Sequence, residues 1–551
     1  MKTHRSGIKA DPLLGLLWVV ALFFMSFSLL AWAPRQTAPL ASENAVPMDA
    51  EGLEVFSAFL VTLLRMVMAL LISLPVSFIL TSLARRRHVP GVTLSALLDL
   101  LRCAPFIGLI AVFAFINYDL AIILATATSF AVQVGYVSRL SAAETPPALI
   151  ELCRALGLTR WQMFWRCKAP ILTPGIIVAL GAAMPLAWLT LVGGEFILSS
   201  RESHVISLGL GSLLRNGFEE GRASIWIGAL VATAILVLGF EWMVINPARH
   251  WSQRFRLQAA MLAEESRFYS FFHRRLASSL FLKFLHRQAL SLANRRLRHT
   301  RVAQHHDPTH QSAPPARAKL LPAILIVICG LIIGYDREIF LSFHIRLEIL
   351  ASLAETAFIV LLASAIALAI WLPLSVLMRR RVAAQRPVPR FLKFWMIFPT
   401  FLLFPFLTDL LPAYDFPPLT LTLLLVFLSI QAGVAVRCFE AFQQFPTDLL
   451  EVARNLNVRG ILWWRKVFLP CVTPSMRQNL AHSVVMGWHN ALLAELVVAL
   501  LTPARAPALG GDLIQAVTRG DVAETLMLFM LVTATAWLCV RLIEQDPSEA
   551  T

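Results

Sequence analysis

Long apolar runs alternate with short polar segments along the 551 residues of this chain. About twenty consecutive apolar residues allow an α-helix to cross the hydrocarbon core of a bilayer. The first run is long for the core of a cleaved signal peptide, so we interpret it as a membrane helix. The runs predict twelve spans, at approximately residues 13–33, 57–83, 93–115, 118–138, 172–197, 224–245, 320–336, 352–378, 394–411, 418–439, 477–501 and 523–543. The pattern therefore predicts an all-α polytopic membrane protein.

Composition agrees with this prediction and argues against other classes. Hydrophobic residues make up 58% of the chain and charged residues only 15%, whereas soluble proteins carry about 25% charged residues. The net charge of +15 comes mostly from bases at the ends of apolar runs, so it does not predict nucleic-acid binding. The seven cysteines are odd in number and lack metal-ligand spacing. We expect reduced thiols, no metal and no cofactor.

The distribution of bases predicts the topology. Arginine triplets at 85–87 and 379–381 mark equivalent ends of two spans, and the loops 139–168 and 437–466 are also basic. The loop 34–53, at the opposite end of its span, carries three acidic residues against one arginine. Because an excess of Lys and Arg marks the cytoplasmic side, these basic loops and both termini are predicted to be cytoplasmic.

The chain also repeats itself. Two sets of residues share one offset of 300 positions: Glu151, Arg154, Leu156, Pro170, Pro174, Trp188 and Glu195 recur as Glu451, Arg454, Leu456, Pro470, Pro474, Trp488 and Glu495. With small shifts of register, Pro75 also matches Pro373, and Pro105 matches Pro399. Each half has six predicted spans, an even number, so the halves form a parallel repeat.

The repeat divides the chain into five predicted regions. They are an N-terminal cytoplasmic tail with the first transmembrane helix and a periplasmic loop (1–54), the first half (55–245), a basic cytoplasmic linker (246–318), an extra transmembrane helix (319–349) and the second half (350–545). Within the linker, Phe and Leu recur at helical spacing among the bases. That pattern is typical of an amphipathic helix on an anionic membrane surface, so membrane lipid is an expected partner.

The most strongly repeated segments are two cytoplasmic loops, 143–169 and 443–469, which we interpret as helix, turn, helix. Gly157 is the expected break, since glycine tolerates positive φ, and its counterpart Asn457 is the next most tolerant residue. This pattern resembles the EAA loop of the binding-protein-dependent inner membrane components of bacterial ABC importers. That motif is Glu-Ala-Ala, three residues, Gly, then about a dozen residues to Leu-Pro. The two copies read Glu151-Leu152-Cys153, Gly157, Ala169-Pro170 and Glu451-Val452-Ala453, Asn457, Leu469-Pro470.

The resemblance covers roughly 55–245 and 350–545 and is closest to fused, two-domain permeases of the thiamine and ferric-iron type, especially the thiamine-like ones. It implies two type I (MetI-like) permease halves in the bacterial inner membrane. It also implies two ATP-binding subunits and a periplasmic solute-binding protein as partners. The residues that the resemblance places in ATPase coupling are Glu151, Arg154, Ala155, Leu156, Gly157, Pro170, Glu451, Arg454, Asn455, Leu456, Asn457 and Pro470. The sequence has no Gly-Lys pair and hence no P-loop, so the chain is predicted to be a permease subunit and not an enzyme.

Ionisable groups inside predicted spans indicate a candidate solute pathway. The candidates are Trp188, Glu195, His482, Trp488, His489 and Glu495. Carboxylates facing a cavity would favour a cationic, thiamine-like solute, and ferric iron, an oxyanion and a polyamine stay open as alternatives. Both Glu residues would equally suit a framework role, bonded to neighbouring helices. A secondary transporter of the six-plus-six parallel-repeat type is the alternative function. It leaves the paired loops unexplained.

Overall fold

The computed structural model describes residues 50–84, 94, 97–114, 118–141, 147–199, 209–255, 343–379, 387–403, 406–407, 418–443, 445–501, 509–518 and 522–544. The described residues form helices and turns, with no strand among them. The predicted spans 13–33 and 320–336 lie outside this part of the chain, as does the predicted linker beyond Phe255.

The first half contains eight of the helices that we number. They are α1 (Ala50–Ala84), α2 (Phe106–Ala114), α3 (Tyr118–Ser141), α4 (Pro147–Ala155), α5 (Ala169–Leu198), α6 (Leu210–Glu219), α7 (Ala223–Phe240) and α8 (Asn246–Ser252). A four-residue helix, Arg160–Met163, and a π-turn, Phe164–Lys168, lead directly into α5. A second π-turn, Glu241–Ile245, joins α7 to α8, and a 3-10 turn, Gln253–Phe255, follows.

The second half has a similar order, except that its helix Pro387–Ile397 precedes Pro399 whereas α2 follows Pro105. Its helices are α9 (Phe343–Arg379), α10 (Pro387–Ile397), α11 (Pro418–Gln443), α12 (Thr447–Asn455), α13 (Leu469–Leu501), α14 (Leu509–Thr518) and α15 (Val522–Glu544). The short helix Gly460–Trp463 and the π-turn Trp464–Phe468 precede α13, as their counterparts precede α5. A 3-10 turn, Thr400–Leu403, follows α10.

Seven helical stretches among the described residues are long and apolar enough to cross a membrane. The predicted spans 93–115 and 394–411 are not continuous helices, because the chain breaks before Pro105 and Pro399. Proline lacks an N–H and keeps the preceding residue out of the α region, which explains both breaks. The span predicted at 224–245 continues through α8, so the apolar helix extends into the region expected to be linker.

The centre of the fold is α5 with its neighbours. Of the apolar window in Trp161–Leu198, 78% is buried, against 28% in Gly52–Leu83 and 28% in Ile349–Met378. Helix α3 packs along α5 and α1, and α11 packs in the same way along α13 and α9. One hydrophobic core joins both halves and contains Trp188 and Trp488. The outer helices α1 and α9 thus offer apolar surface to lipid, while α5 lies inside the protein.

Candidate functional site

The first loop, which we call elbow 1 (residues 147–170), turns at Gly157. Helix α4 ends in a Schellman motif: the N–H of Leu158 donates to the carbonyl of Cys153 at 3.1 Å, and that of Gly157 to Arg154 at 2.9 Å. Gly157 has φ of 65°, the left-handed conformation that a side chain would disfavour. The break expected at this glycine is confirmed.

The helix after this turn begins with a reciprocal pair of hydrogen bonds. The side-chain oxygen of Gln162 accepts from the N–H of Thr159 at 2.7 Å, and the Thr159 hydroxyl accepts from the N–H of Gln162 at 3.4 Å. This is a capping box, which satisfies two donors that a helix start leaves without partners. The capping box therefore fixes where the second arm of elbow 1 starts.

Elbow 2 (residues 447–470) has the same turn, although Gly460 has φ of 60° where its counterpart Arg160 does not have a positive φ. The N–H of Val458 donates to Ala453 at 2.9 Å, and that of Asn457 to Arg454 at 3.1 Å, the same Schellman pattern as in elbow 1. Asn457 has φ of 54° and is the one described non-glycine residue with positive φ. Asparagine thus replaces glycine without changing the turn, as its tolerance of this conformation predicts.

Both elbows expose apolar side chains at equivalent positions. Leu156 is 67% exposed and Leu456 is 70% exposed, and Leu152 and Val452 are each more than half exposed. The other predicted coupling residues also have exposed side chains, except Pro170, which is half-buried: they are Glu151, Arg154, Ala155, Gly157, Glu451, Arg454, Asn455, Asn457 and Pro470. An apolar patch rimmed by charge is typical of a protein interface.

Glu195, near the end of α5 remote from elbow 1, is fully buried and bonded inside the protein. Its carboxylate pairs with Arg65 Nη1 at 2.9 Å and accepts from the Thr62 hydroxyl at 3.0 Å. It also accepts from the backbone N–H of Gly211 at 3.1 Å, at the start of α6. A carboxylate is favoured at a helix N-terminus because the helix dipole is positive there. Glu195 therefore joins α1, α5 and α6.

Glu495 makes a parallel set of contacts in the second half. It accepts from the Thr356 hydroxyl at 2.6 Å and from the N–H of Gly510, at the start of α14, at 3.1 Å. Thr356 thus corresponds to Thr62, and three residues further along the helix Ile359 stands where the first half has Arg65. Both carboxylates are framework groups in this structure, and the two halves bond them differently.

A cavity of about 440 Å³ lies between the halves. Helices α5 and α8 line one side of it, and α10, α11 and α13 line the other. Its charged lining residues are Glu241, Arg249, Lys393, Arg437 and Glu440. We call this boundary, where the π-turn Glu241–Ile245 and α8 of the first half face α10 and α11 of the second half, the cavity interface.

The pseudo-equivalent boundary, where α15 faces the segment just before α2, is filled by ion pairs. Arg102 Nη2 lies 2.6 Å from a Glu544 oxygen, and Arg541 Nη2 lies 3.1 Å from an Asp99 oxygen. The Arg102 guanidinium also stacks 3.8 Å from the ring centroid of Tyr136. We call this boundary the ion-paired interface. Asp99 and Arg102 precede Pro105 by the same distances at which Lys393 and Met396, both in the cavity lining, precede Pro399.

The family model for the "Binding-protein-dependent transport system inner membrane component" matches this chain twice, at residues 63–246 and 365–544. The chain belongs to this family. Two matches in one polypeptide make it a fused, two-domain permease component of a binding-protein-dependent importer located in the inner membrane. Neither this match nor the described structure supports the alternative of a secondary transporter. No solved structure matches the chain.

Of the six candidate pathway residues of this permease, His482 lines the cavity and the other five do not. Trp188 and Trp488 are 1% exposed and lie in the shared core. His489 is equally buried, and its Nδ1 accepts from the N–H of Phe106 at 3.4 Å. Glu195 and Glu495 are held in the framework contacts described above.

Sequence reasoning missed several lining residues of the permease cavity. The charge pattern predicts that Arg437 belongs to a basic loop, whereas Arg437 lies inside α11 and faces the cavity. Asn479, Ser483 and Asn490 also line it. Together with His482 they share one face of α13, and their counterparts in α5 are alanines and Thr190. That one-sided polar stripe in an apolar helix was the signal that could have revealed the cavity.

Proposed function

We propose that this permease forms the solute path of an ATP-driven importer, and that each elbow docks on one ATP-binding subunit. Two equivalent elbows imply two copies of that subunit. In this proposal the elbows and both termini are cytoplasmic, and a periplasmic solute-binding protein docks on the opposite face. The observation that carries the proposal is the identical Schellman turn in both elbows, each exposing a leucine at its apex.

The physical reason lies in what the elbows leave uncovered. Cys153 and Ala453 are buried beneath the turns, whereas Leu156 and Leu456 point outward. Leu152 and Val452 are also exposed, one helical turn before each leucine, and an apolar patch of this kind is typical of a surface that a second protein covers. The continuous helix from each elbow into α5 or α13 would carry movement of the ATP-binding subunits into the membrane.

For the solute, the thiamine-like prediction rests on the family resemblance alone. A pair of carboxylates facing the pathway would have given a cationic solute physical support. Glu195 is neutralised by Arg65, and neither Glu195 nor Glu495 lines the cavity. We therefore draw no cationic preference from them.

The test is affinity purification of the tagged chain from its native membrane, with mass spectrometry of P-loop ATPases that accompany it. Replacing Leu156 and Leu456 together with Asp should reduce the recovered ATPase about tenfold or more, because charges would be buried in two apolar contacts. Replacing Glu151 and Glu451 together with Ala should also weaken recovery. The matched control is Glu220→Ala, on the opposite face of the protein. Full ATPase recovery with the Leu156→Asp and Leu456→Asp variant would refute docking at the elbows.

A further inference from the structure

The charges of the residues that line the cavity do not sum to zero. Arg249 pairs with Glu241 at 2.7 Å, and Lys393 lies 3.5 Å from a Glu440 oxygen. The fifth charged lining residue, Arg437, has no carboxylate within ion-pair distance among the residues that the structure describes. The cavity lining thus contains one more basic residue than acidic residues.

Arg437 is also weakly bonded. Its one hydrogen bond to a described residue is to Asn479 Oδ1, at 3.4 Å, which is long for this type of contact. A guanidinium has five N–H donors in a planar fork, so most of the donors of Arg437 are left for another partner. Arg437 is half-buried at the cavity wall, and Glu440, three residues further along α11, is shared with Lys393. The free donors of Arg437 therefore face a space in which an anionic group could bind.

Polar side chains of α13 surround the same space. Asn479, His482, Ser483 and Asn490 lie at i, i+3, i+4 and i+11, one face of a helix, and all four line the cavity. His482 Nδ1 also lies 3.1 Å from Gln133 Nε2, which ties this face to the first half. These neutral groups supply hydrogen bonds and no negative charge.

We propose that this cavity binds the transported solute through an anionic group, a carboxylate, phosphate or sulfate, held by Arg437 and flanked by Asn479 and His482. This inference rests on the proposed function and names its substrate class. A planar guanidinium matches two oxygens of such a group at once. The volume of about 440 Å³ is within the range of small-molecule sites, roughly 300–1,000 Å³. The anionic group belongs to a soluble solute, with a lipid headgroup as the competing source.

The test uses the full chain in nanodiscs of phosphatidylcholine, with thermal unfolding recorded at constant ionic strength. Inorganic phosphate, sulfate and citrate are the anionic probes, and choline and thiamine are the cationic ones. At least one anion should raise the unfolding temperature of the wild type, and neither cation should. Arg437→Gln should weaken the apparent affinity for that anion about tenfold or more, because a charge-assisted bidentate contact is lost.

Two matched variants sharpen the result. Arg390→Gln removes an exposed charge from α10 outside the cavity and should leave anion binding unchanged. Arg437→Lys keeps the charge without the fork and should bind the anion better than Arg437→Gln but less well than the wild type. If Arg437→Gln does not fold, Arg437→Lys tests the site in its place.

Several outcomes would overturn the anion site. They are stabilisation by a cation alone, no response to any of the three anions, or an equal response in the Arg437 variants. Phosphatidylglycerol in the nanodisc could also raise the unfolding temperature while the soluble anions do not. That result would assign Arg437 to lipid and would also overturn the anion site. Because Arg437 faces the cavity and is not part of the exposed surface of either elbow, its variants should still recover the ATPase. Recovered ATPase without anion binding refutes this inference alone. Undiminished ATPase recovery with the Leu156→Asp and Leu456→Asp variant refutes docking at the elbows, and with it the proposed function.

Discussion

The cavity interface and the ion-paired interface occupy equivalent places in the two halves, yet one encloses a cavity and the other is filled. At the ion-paired interface, Arg102 is 3% exposed and pairs with Glu544. At the cavity interface, Lys393 and Glu440 form a longer pair in which both side chains are about half exposed. Duplicated halves can therefore keep one framework while their contacts diverge around the path that a solute would take.

A similar contrast separates α5 from α13. Position by position, Ala179, Ala182 and Ala183 in α5 stand where α13 has Asn479, His482 and Ser483. Both helices nevertheless keep Trp and Glu at the same places, and both carboxylates receive a threonine hydroxyl and a glycine N–H. The shared residues hold helices together, and the residues that differ line the cavity. This comparison suggests where substitutions will act on stability and where they will not.

The largest effect should come from breaking the ion-paired interface. Glu544→Ala leaves the Arg102 guanidinium buried without its carboxylate, which should destabilise the protein by about 3–5 kcal/mol. The equivalent test at the cavity interface is Glu440→Ala, whose exposed partner Lys393 should make the cost about 0–1 kcal/mol. Thermal unfolding of both purified variants measures the difference. Equal losses would show that the two interfaces are not distinguished by burial.

Glycines at the start of α6 and α14 should be equally intolerant in the two halves. A Cβ at Gly211 would overlap the backbone oxygen of Val192, and one at Gly510 would overlap that of Leu492. Gly211→Ala and Gly510→Ala should each cost about 1–3 kcal/mol, the usual penalty of overpacking. In Gly239→Ala the added Cβ meets nothing within 4 Å, so this control in α7 should be neutral or slightly stabilising. A loss in only one half would contradict a common framework.

The two elbow turns should respond differently to substitution, because one variant places a side chain in the left-handed region and the other removes one. Gly157→Ala should destabilise elbow 1 by about 1–2 kcal/mol. Asn457→Gly should leave elbow 2 unchanged or slightly more stable, because glycine adopts this conformation freely. Hydrogen exchange of the elbow amides should show about 5–30-fold faster exchange in Gly157→Ala and no acceleration in Asn457→Gly. Acceleration in both would argue against the backbone conformations described above.

The smallest effect should come from the helix cap that elbow 1 has and elbow 2 lacks. Thr159→Ala removes the capping box with Gln162 and should cost about 1 kcal/mol locally. Arg459, at the corresponding start in elbow 2, makes no side-chain cap, so Arg459→Ala should leave the start of that helix unchanged. The same exchange measurement distinguishes them. Equal protection in both variants would mean that the cap contributes nothing in elbow 1.

Much of this architecture could be predicted from the sequence because its causes are local. The offset of 300 residues, the apolar runs and the Gly157 and Asn457 turns depend on short stretches of chain. Among the described residues, the structure agrees with both turns and with seven of the twelve apolar runs. The breaks before Pro105 and Pro399 also had a local signal, proline, although the spans containing them were predicted as continuous.

Other features depend on residues far apart in the sequence. The partner of Glu195 is Arg65, in another helix, and neither residue type alone predicts that pairing. The sequence match between the prolines of α1 and α9 was also misleading. Pro75 lies thirteen residues after Thr62, whereas Pro373 lies seventeen after Thr356, so these prolines are not equivalent although their sequence context matches. The one-turn shift emerges only from the bonds to the two carboxylates.

The π-turns Phe164–Lys168 and Trp464–Phe468 set the angle between each elbow and the membrane helix that follows it. A π-turn holds about one residue more than an α-turn, and each residue rotates a helix by about 100°. Deleting a single residue from either one would swing its apical leucine about a quarter of the way round the helix axis. Since both copies hold the same extra residue at the same place, both apical leucines keep the same angular position relative to the helix that enters the membrane.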